Sequence, residues 1–462
     1  MDITVSYSQT KHKDSVVVPA SGKYKDPSLL RTIFIGRNYR EEWITPVRIP
    51  ILNLKNELGG FTIVDSGGGR QTNNLRLKDR QGNEWILRSV DKDIEKSLLP
   101  PLRNTMVEIL MQDLQSAIHP YAALTIPVLA EAVGITVSKP TVFFVPDDPA
   151  LEEYRSIFAN TVCLLEEREP TPDQSETKST NTVFEKLFTE SDHRLLQKKI
   201  LKARLLDMLI ADWDRHEDQW RWGINDSSGI NYYYPIPRDR DFAYFNSDGL
   251  FIKFASWISL PQMKGFTKKA TGLKRLNAKV LDLDLRWLNE LSAADWKAEI
   301  SMLQKNLSDS IINQAVQRIP AEIYASSGNK LVNKLITRRN GLMKYAMNYY
   351  HFLARHPVIF GTDDQELIRI SSCDSGICVT VQGNKNNQII YSRKFNPRET
   401  KRIFVKGQDG NDQFIVDENV SSSIKLYLEG GDGNDLYSVK GNIKTKIEDD
   451  NKVSGKSVLV HK

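Results

Sequence analysis

The sequence predicts a mixed α+β protein: a β-rich opening, a helical centre and an all-β end. Three observations carry that prediction. Strand-like runs, GGFTIV, NNLRLKD and NEWILRSV, fill residues 56–100. Apolar residues at helical spacing (Leu195, Ile200, Leu205, Leu206, Leu209) mark a helix over about 190–212, and 270–355 reads as mostly helical. From His356 onward, short alternating runs are separated by Gly, Asn and Asp, the texture of a β domain. The chain has 462 residues, 40% apolar and 26% charged, enough for several domains and a large core. A net charge of +5 is too weak a bias to imply a nucleic-acid partner. No apolar run reaches the roughly 18 residues of a membrane span. The best stretch, 122–137, is broken by Pro127 and Glu131.

Taken in order, residues 1–55 read as short strands and loops, an N-terminal β extension beginning with the alternating MDITVSYSQ. No signal peptide is visible there. If Met1 is an added start on an excised segment, that says nothing about compartment. Gly67, Gly68 and Gly69 separate the first two strands of the next region. A helix comes next at about 103–118, then strands at KPTVFFVP and NTVCLLEE. The polar stretch 167–182, with Pro170 and Pro172, is a linker or loop. After the 190–212 helix, QWRWGI, a turn at NDSSG and NYYYPIP predict a hairpin. The basic–aromatic helix 329–355 reads as a solvated cationic face beside a buried Leu/Tyr stripe. Of three cysteines, Cys163 lies in an apolar run and reads as a core thiol. Cys373 and Cys378 frame a predicted hairpin, where a local disulfide and two free thiols both fit.

The densest chemical signal is Asp212-Trp213-Asp214-Arg215-His216-Glu217-Asp218-Gln219, joined across the hairpin to Pro237-Arg238-Asp239-Arg240-Asp241-Phe242. On a strand, Asp239 and Asp241 share one face and the two arginines the other. Carboxylates gathered there with Asp214 are costly to bury without cations. A divalent metal with oxygen ligands resolves this, and so does an ion-pair ladder with the arginines.

A helix running into Asp-Arg-His, an amide five residues after that Asp, a hairpin and a second Asp resemble the catalytic and metal-binding segments of atypical kinases. The phosphatidylinositol kinases, the secretory-pathway kinases and the HipA-type kinases share this outline. The resemblance implies a two-lobed kinase-like domain over 56–355, with lobes 56–170 and 183–355, and an all-β domain over 356–462. It implies that Asp214 orients an acceptor hydroxyl, and that Asp239, Gln219 and Asp241 hold metal. Gly67, Gly68 and Gly69 with Arg88 and Lys92 would hold the phosphates of ATP with Mg or Mn, and Glu108 would pair with the cation at the end of the third strand. TVCLLEEREP would be the adenine-contacting strand and hinge. Arg88 stands where such kinases have lysine, which leaves competent transfer and a pseudokinase scaffold both open.

At larger scale, GRNYREEW, GGGRQTNNLRLKD, ILRSVDKD, DWDRHEDQWRW, PIPRDRDFAYF and FGTDDQE resemble a module of Gram-negative envelope proteins, set between a calcineurin-like phosphoesterase domain and an outer-membrane barrel. Neither neighbour is visible in this chain. That resemblance implies an envelope fragment with an envelope or barrel partner, while nothing in the residues rules out the cytoplasm. Separately, GGDGNDLY (430–437) and GQDGNDQF (407–414) fit calcium turns of RTX type, with Asp409, Asp412, Asp432 and Asp435 as ligands. Plain Asp/Gly turns in a β-solenoid or sandwich fit the same residues. The expected function is an envelope-associated, nucleotide- and metal-binding kinase-like protein; a pseudokinase scaffold or calcium-stabilised surface module is the alternative.

Overall fold

The computed structural model describes residues 14–67, 73–94, 98, 100–258, 260–263, 265–383, 388–448 and 458–460. Near the start, β1 (Ser15–Val18) pairs antiparallel with β2 (Val47–Pro50). Between them lie two short helices, Leu29–Phe34 and Arg40–Ile44, where the sequence suggested only strands and loops. Ser28 starts the first by accepting from Arg31 N, an N-cap the apolar run LLRTIF conceals. This segment is fastened to residues 113–118. Arg40 clamps Asp113 with two bonds of 2.8 and 2.6 Å, and Trp43 Nε1 donates to Ile118 O at 2.8 Å.

Five strands then build one antiparallel sheet: β3 (Thr62–Gly67), β4 (Asn74–Lys78), β5 (Glu84–Ser89), β6 (Thr141–Val145) and β7 (Thr161–Glu167), in the order β3-β4-β5-β7-β6. Side chains alternate faces along each strand. Leu75, Leu77, Leu87, Phe143, Val145, Cys163 and Leu165 fill a core on one face. The opposite face carries Arg88 and Glu166, set diagonally because Arg88 pairs with Leu164 and Ile86 with Glu166. Gly67 closes β3, while Gly68 and Gly69 lie outside the described residues.

The helical centre is organised by Gln197–Ile210, buried on nearly every side rather than along one stripe. Burying it all round requires its charges to be paired. Arg204 bonds Asp207 (2.8 Å), Asp284 (2.8 Å) and Asn277 (2.9 Å). The helix ends at Ala211 in the left-handed conformation (φ 57°). Its last carbonyls are capped from outside: Arg338, on the helix Asn329–Leu353, donates to Met208 O (2.7 Å) and Leu209 O (2.6 Å). The basic face expected to be solvated is therefore partly turned inward, with Arg338 3% exposed.

Beside this helix, β8 (Lys178–Ser179), β9 (His193–Leu195), β10 (Trp220–Ser227) and β11 (Ile230–Pro237) form a second sheet. β10 and β11 are the predicted hairpin, closed by Ser228 and Gly229, both at positive φ (56° and 77°). Two left-handed residues in a two-residue turn match the right-handed twist of the strands. Trp220 and Trp222 pack edge-on to Trp287 in the core.

After Leu353 every described element is a strand: β12 (Val358–Phe360), β13 (Glu366–Cys373), β14 (Gly376–Gly383), β15 (Ile389–Phe395), β16 (Arg402–Asp409), β17 (Gln413–Val416), β18 (Ser421–Asp432), β19 (Leu436–Val439), β20 (Asn442–Glu448) and β21 (Val458–Val460). One sheet is parallel, β12-β16-β18-β20; the other runs β15-β14-β13-β17-β19-β21, parallel from β13 onward. Alternating between two parallel sheets makes the chain a coil that stacks on itself. Phe404 stacks on Tyr427 and Phe414 on Tyr437, centroids 4.7 and 4.8 Å apart. Cys373 and Cys378 are disulfide-bonded at the β13–β14 turn, and Cys163 is a buried thiol pushed up to about 12 by burial.

Candidate active site

Three chain segments converge below the β5–β7 face: the end of β5, the loop after Gln197–Ile210, and the loop after β11. The hairpin brings the last two together. Its first and last pair is Trp220 with Pro237, and Arg238 N donates to Gln219 O at 2.9 Å. Arg215 ties them further, donating to Arg238 O (2.6 Å) and Gln219 O (3.0 Å).

β11 ends at Pro237, so Asp239 is not on a strand. It sits at φ 49°, an uncommon conformation for a residue with a side chain. That turn, not strand alternation, lets Asp239 and Asp241 face the same cation. Arg88 is that cation: its Nη1 lies 3.1 Å from Asp239 Oδ1 and 3.5 Å from Glu166 Oε1, and its Nη2 3.1 Å from Asp241 Oδ1. Lys92 Nζ lies 3.2 Å from Asp241 Oδ2 and 4.8 Å from the Phe242 ring centre. Both cations are 4% exposed.

The electrostatics divide the two aspartates. Burial opposes the charge on Asp239, but Lys92 and Arg88 outweigh it and hold that carboxyl well below the usual range. For Asp241 burial dominates; Arg88 offsets it only partly, the Asp239 charge adds to it, and the carboxyl is pushed up to about 6. Both Oδ1 atoms are buried and lack an aligned hydrogen bond. A cation is therefore already the organising element, and it is arginine.

Gln219 sits beside this pair. Its amide nitrogen donates to Asp239 Oδ2 (3.3 Å) and faces His216 Nε2 (3.3 Å). A metal shared by Asp239 and Gln219 would need the amide turned over, oxygen inward. His216 is partly exposed. Asp214 forms an ion pair with Lys279, and its backbone N–H donates to Asp212 Oδ1 at 3.2 Å. Burial pushes Asp212 up to about 7. Beneath the loop, Asp207 accepts from Arg204 at 2.8 Å, forms an ion pair with Arg240 at 2.8 Å and faces Arg215 Nε at 3.4 Å. Burying Asp207 completely is tolerable only with such partners.

Glu108 is not part of this cluster. Its Oε2 accepts from Asn104 N at 2.6 Å, at the N-terminal end of its own helix. Glu166 is the further carboxylate that pairs with Arg88, and sequence reading missed it. Its signal was the first of two acids ending an apolar strand, on the same buried face as Val162 and Leu164. Lys279 was likewise missed, since nothing local links it to Asp214 across 65 residues.

The candidate calcium ligands divide between two sides of the coil. Asp409 and Asp432 are exposed and in register with each other, whereas Asp412 and Asp435 are fully buried. The inward pair accepts backbone N–H groups from the preceding coil: Glu366 N donates to Asp412 Oδ1 and Asp412 N to Asp435 Oδ1, both at 2.9 Å. Glu366 occupies the same place in a third repeat, GTDDQE, that the turn motif did not reveal. So the four aspartates are not gathered around one point. Among the described residues, the group of three metal-type ligands close enough to share an ion is Glu190, Asp192 and His193, none of them a candidate from the sequence.

The chain matches no family model, and no curated protein is similar to it in sequence. Among solved structures it is similar to the proinflammatory kinase CtkA of Helicobacter pylori, with 11% identity and a TM-score of 0.34 over 65% of this chain and 99% of that one. It is also similar to the Rio2 kinase of Chaetomium thermophilum, in a complex with ADP, Mg2+ and phosphoaspartate, with 11% identity and a TM-score of 0.26 over 58% of this chain and 72% of that one. Likenesses this distant carry no weight for function, so the functional reading rests on the cluster around Arg88.

Proposed function

We propose that the chain is a kinase-like protein that binds a nucleotide together with a divalent metal at the Arg88–Asp239–Asp241 cluster. The observation that carries this is the buried convergence of two cations and three carboxylates from three distant segments, the kinds of group phosphoryl transfer uses. Asp239, held ionised, and Asp241 and Gln219 would hold the metal. Arg88 and Lys92 would hold the phosphates, and Asp214 would orient an acceptor hydroxyl. The bound metal would supply neutralisation of phosphate charge. In this reading 56–170 and 183–355 act as two lobes, and 356–462 is an appended β unit.

A specific observation favours the second reading, a pseudokinase scaffold. The cations that would grip phosphates are already neutralised by the carboxylates that would grip metal. The cavity between Arg88, Glu166 and Asp239 holds only about 30 Å³, room for one or two waters. A nucleotide must therefore part the Arg88–Asp239 contact to enter.

Turnover separates the two readings. The purified chain is incubated with γ-labelled ATP and Mg2+ or Mn2+, and transfer or hydrolysis is followed. An enzyme is expected to lose turnover in Asp239→Ala and Asp214→Ala while both variants melt cooperatively. Label transfer that is equal in wild type and Asp239→Ala would overturn the assignment of this site.

A further inference from the structure

We propose that the face formed by the helices Leu29–Phe34 and Leu250–Ile258 binds the surface of an anionic lipid bilayer. Apolar residues in the second helix recur at Leu250, Phe251, Phe254, Trp257 and Ile258, the spacing of one helical stripe. A helix of a soluble domain turns such a stripe toward the core. This one turns it outward: Phe254 is 61% and Trp257 71% exposed, while Ile252 alone is buried. The companion helix does the same with Leu29, Leu30, Ile33 and Phe34. The two helices pack together, and their backbones touch. A Cβ on Gly249 would lie 2.3 Å from Phe34 O. More than half of the exposed large apolar side chains among the described residues belong to this one face and the turn after it. Patches of that kind on a soluble domain mark an interaction surface.

Charge selects the partner. Residues 249–281 contain seven lysines and arginines and no aspartate or glutamate. Lys253, Lys268, Lys269 and Lys274 are exposed. Arg275 is also exposed and donates to Trp257 O at 3.4 Å, which sets a cation beside the most exposed aromatic of the second helix. Arg31 adds another cation on the first helix. Asp248, exposed at the end of the face where it accepts from Asn38 N at 3.4 Å, and the Lys279–Asp214 pair reduce this excess without cancelling it. Aromatic and aliphatic side chains flanked by the remaining cations suit the acyl boundary below and anionic headgroups above. The small net charge of the whole chain conceals this local excess.

The test is sedimentation of the full chain with vesicles of phosphatidylcholine alone or mixed with phosphatidylglycerol, at low and high salt. Binding is expected on the anionic vesicles only, and weaker in high salt. Phe254→Ser with Trp257→Ser is expected to abolish it. Lys268→Gln with Lys269→Gln should lower partitioning roughly 25-fold, about fivefold per cation removed. All four side chains are exposed, so melting temperatures should hold. Failure to sediment with anionic vesicles would overturn the proposal, as would binding that survives the Phe254/Trp257 double variant. A dimer that Trp257→Ser dissociates, without any vesicle binding, would assign the face to a second copy instead. None of these outcomes depends on whether a nucleotide binds.

Discussion

Arg88 is the residue on which the candidate site turns. It answers three carboxylates from two directions, with only 4% of its surface exposed. Removing one partner of a buried ion pair leaves the others uncompensated, at about 3–5 kcal/mol. Arg88→Leu is therefore expected to lose stability of that order in urea unfolding. Asp241→Asn should cost much less, because burial has already raised that carboxyl to about 6 and weakened its claim to a charge. If the two variants unfold at the same urea concentration, Arg88 is not the centre of the cluster. At this scale the sequence was partly legible. Asp214, Asp239 and Asp241 stood out in the charged runs themselves, and Gln219, Arg88 and Lys92 were candidates through the resemblance to atypical kinases. The partner of Arg88 was assigned to Glu108, because a helix after a strand was the expected source. The acid came from β7 instead, and pairing register between strands far apart in sequence is not written locally.

The solenoid shows what a repeated element does to its ionisable groups. Gly361, Gly407 and Gly430 stack in successive coils, each followed five residues later by a buried acid, Glu366, Asp412 or Asp435. A Cβ at position 407 would lie 2.1 Å from Asp412 Oδ2 and 2.5 Å from Gly430 O. The second neighbour is backbone and cannot swing away, so Gly407→Ala is expected to cost about 1–3 kcal/mol in unfolding of this region. Burial raises Glu366 to about 8 and Asp412 to about 7. The unfolded carboxyls ionise near pH 4, so above that pH the unfolded state sheds protons the folded state keeps. Stability from these groups is present below about pH 4 and lost as pH rises toward 7–8, at about 1.4 kcal/mol per pH unit per group. The β region should thus unfold progressively more readily between pH 5 and 8, and Asp412→Asn should flatten the slope. A slope unchanged in Asp412→Asn would refute the assignment. The sequence showed two of the three repeats. The third was hidden because Gly361 and Glu366 lack the Asp-Gly pair between them, and because the β14–β15 hairpin interrupts the period.

The α+β class was legible at the scale of the molecule from periodicity alone, as was the hairpin that brings residues 219 and 237 together. Less legible was everything set by packing between segments. The 190–212 helix reads as amphipathic because Arg204 and Asp207 look like solvent residues; they are buried against Arg240, Arg215 and Asp284. The 329–353 helix reads as a solvated cationic face because the carbonyls that Arg338 caps lie some 130 residues upstream. Residues 1–55 read as an extension because the Arg40–Asp113 clamp spans 73 residues. In each case a charge that looked free had a distant partner. The same pattern makes the molecule's central ambiguity physical: the cations proposed to hold phosphate and the acids proposed to hold metal satisfy one another.

Opening that contact is what a nucleotide must accomplish, and binding energy can be read as stability. The most direct measurement is a thermal-shift titration of the whole chain with ATP, with and without Mg2+ or Mn2+. Millimolar ligand at a site of micromolar affinity should stabilise the fold by about 4 kcal/mol, a rise of several degrees. The expected result is a shift that needs the metal and vanishes in Asp239→Ala. No shift with any metal, or a shift that survives Asp239→Ala, would contradict nucleotide binding at the Arg88–Asp239 cluster.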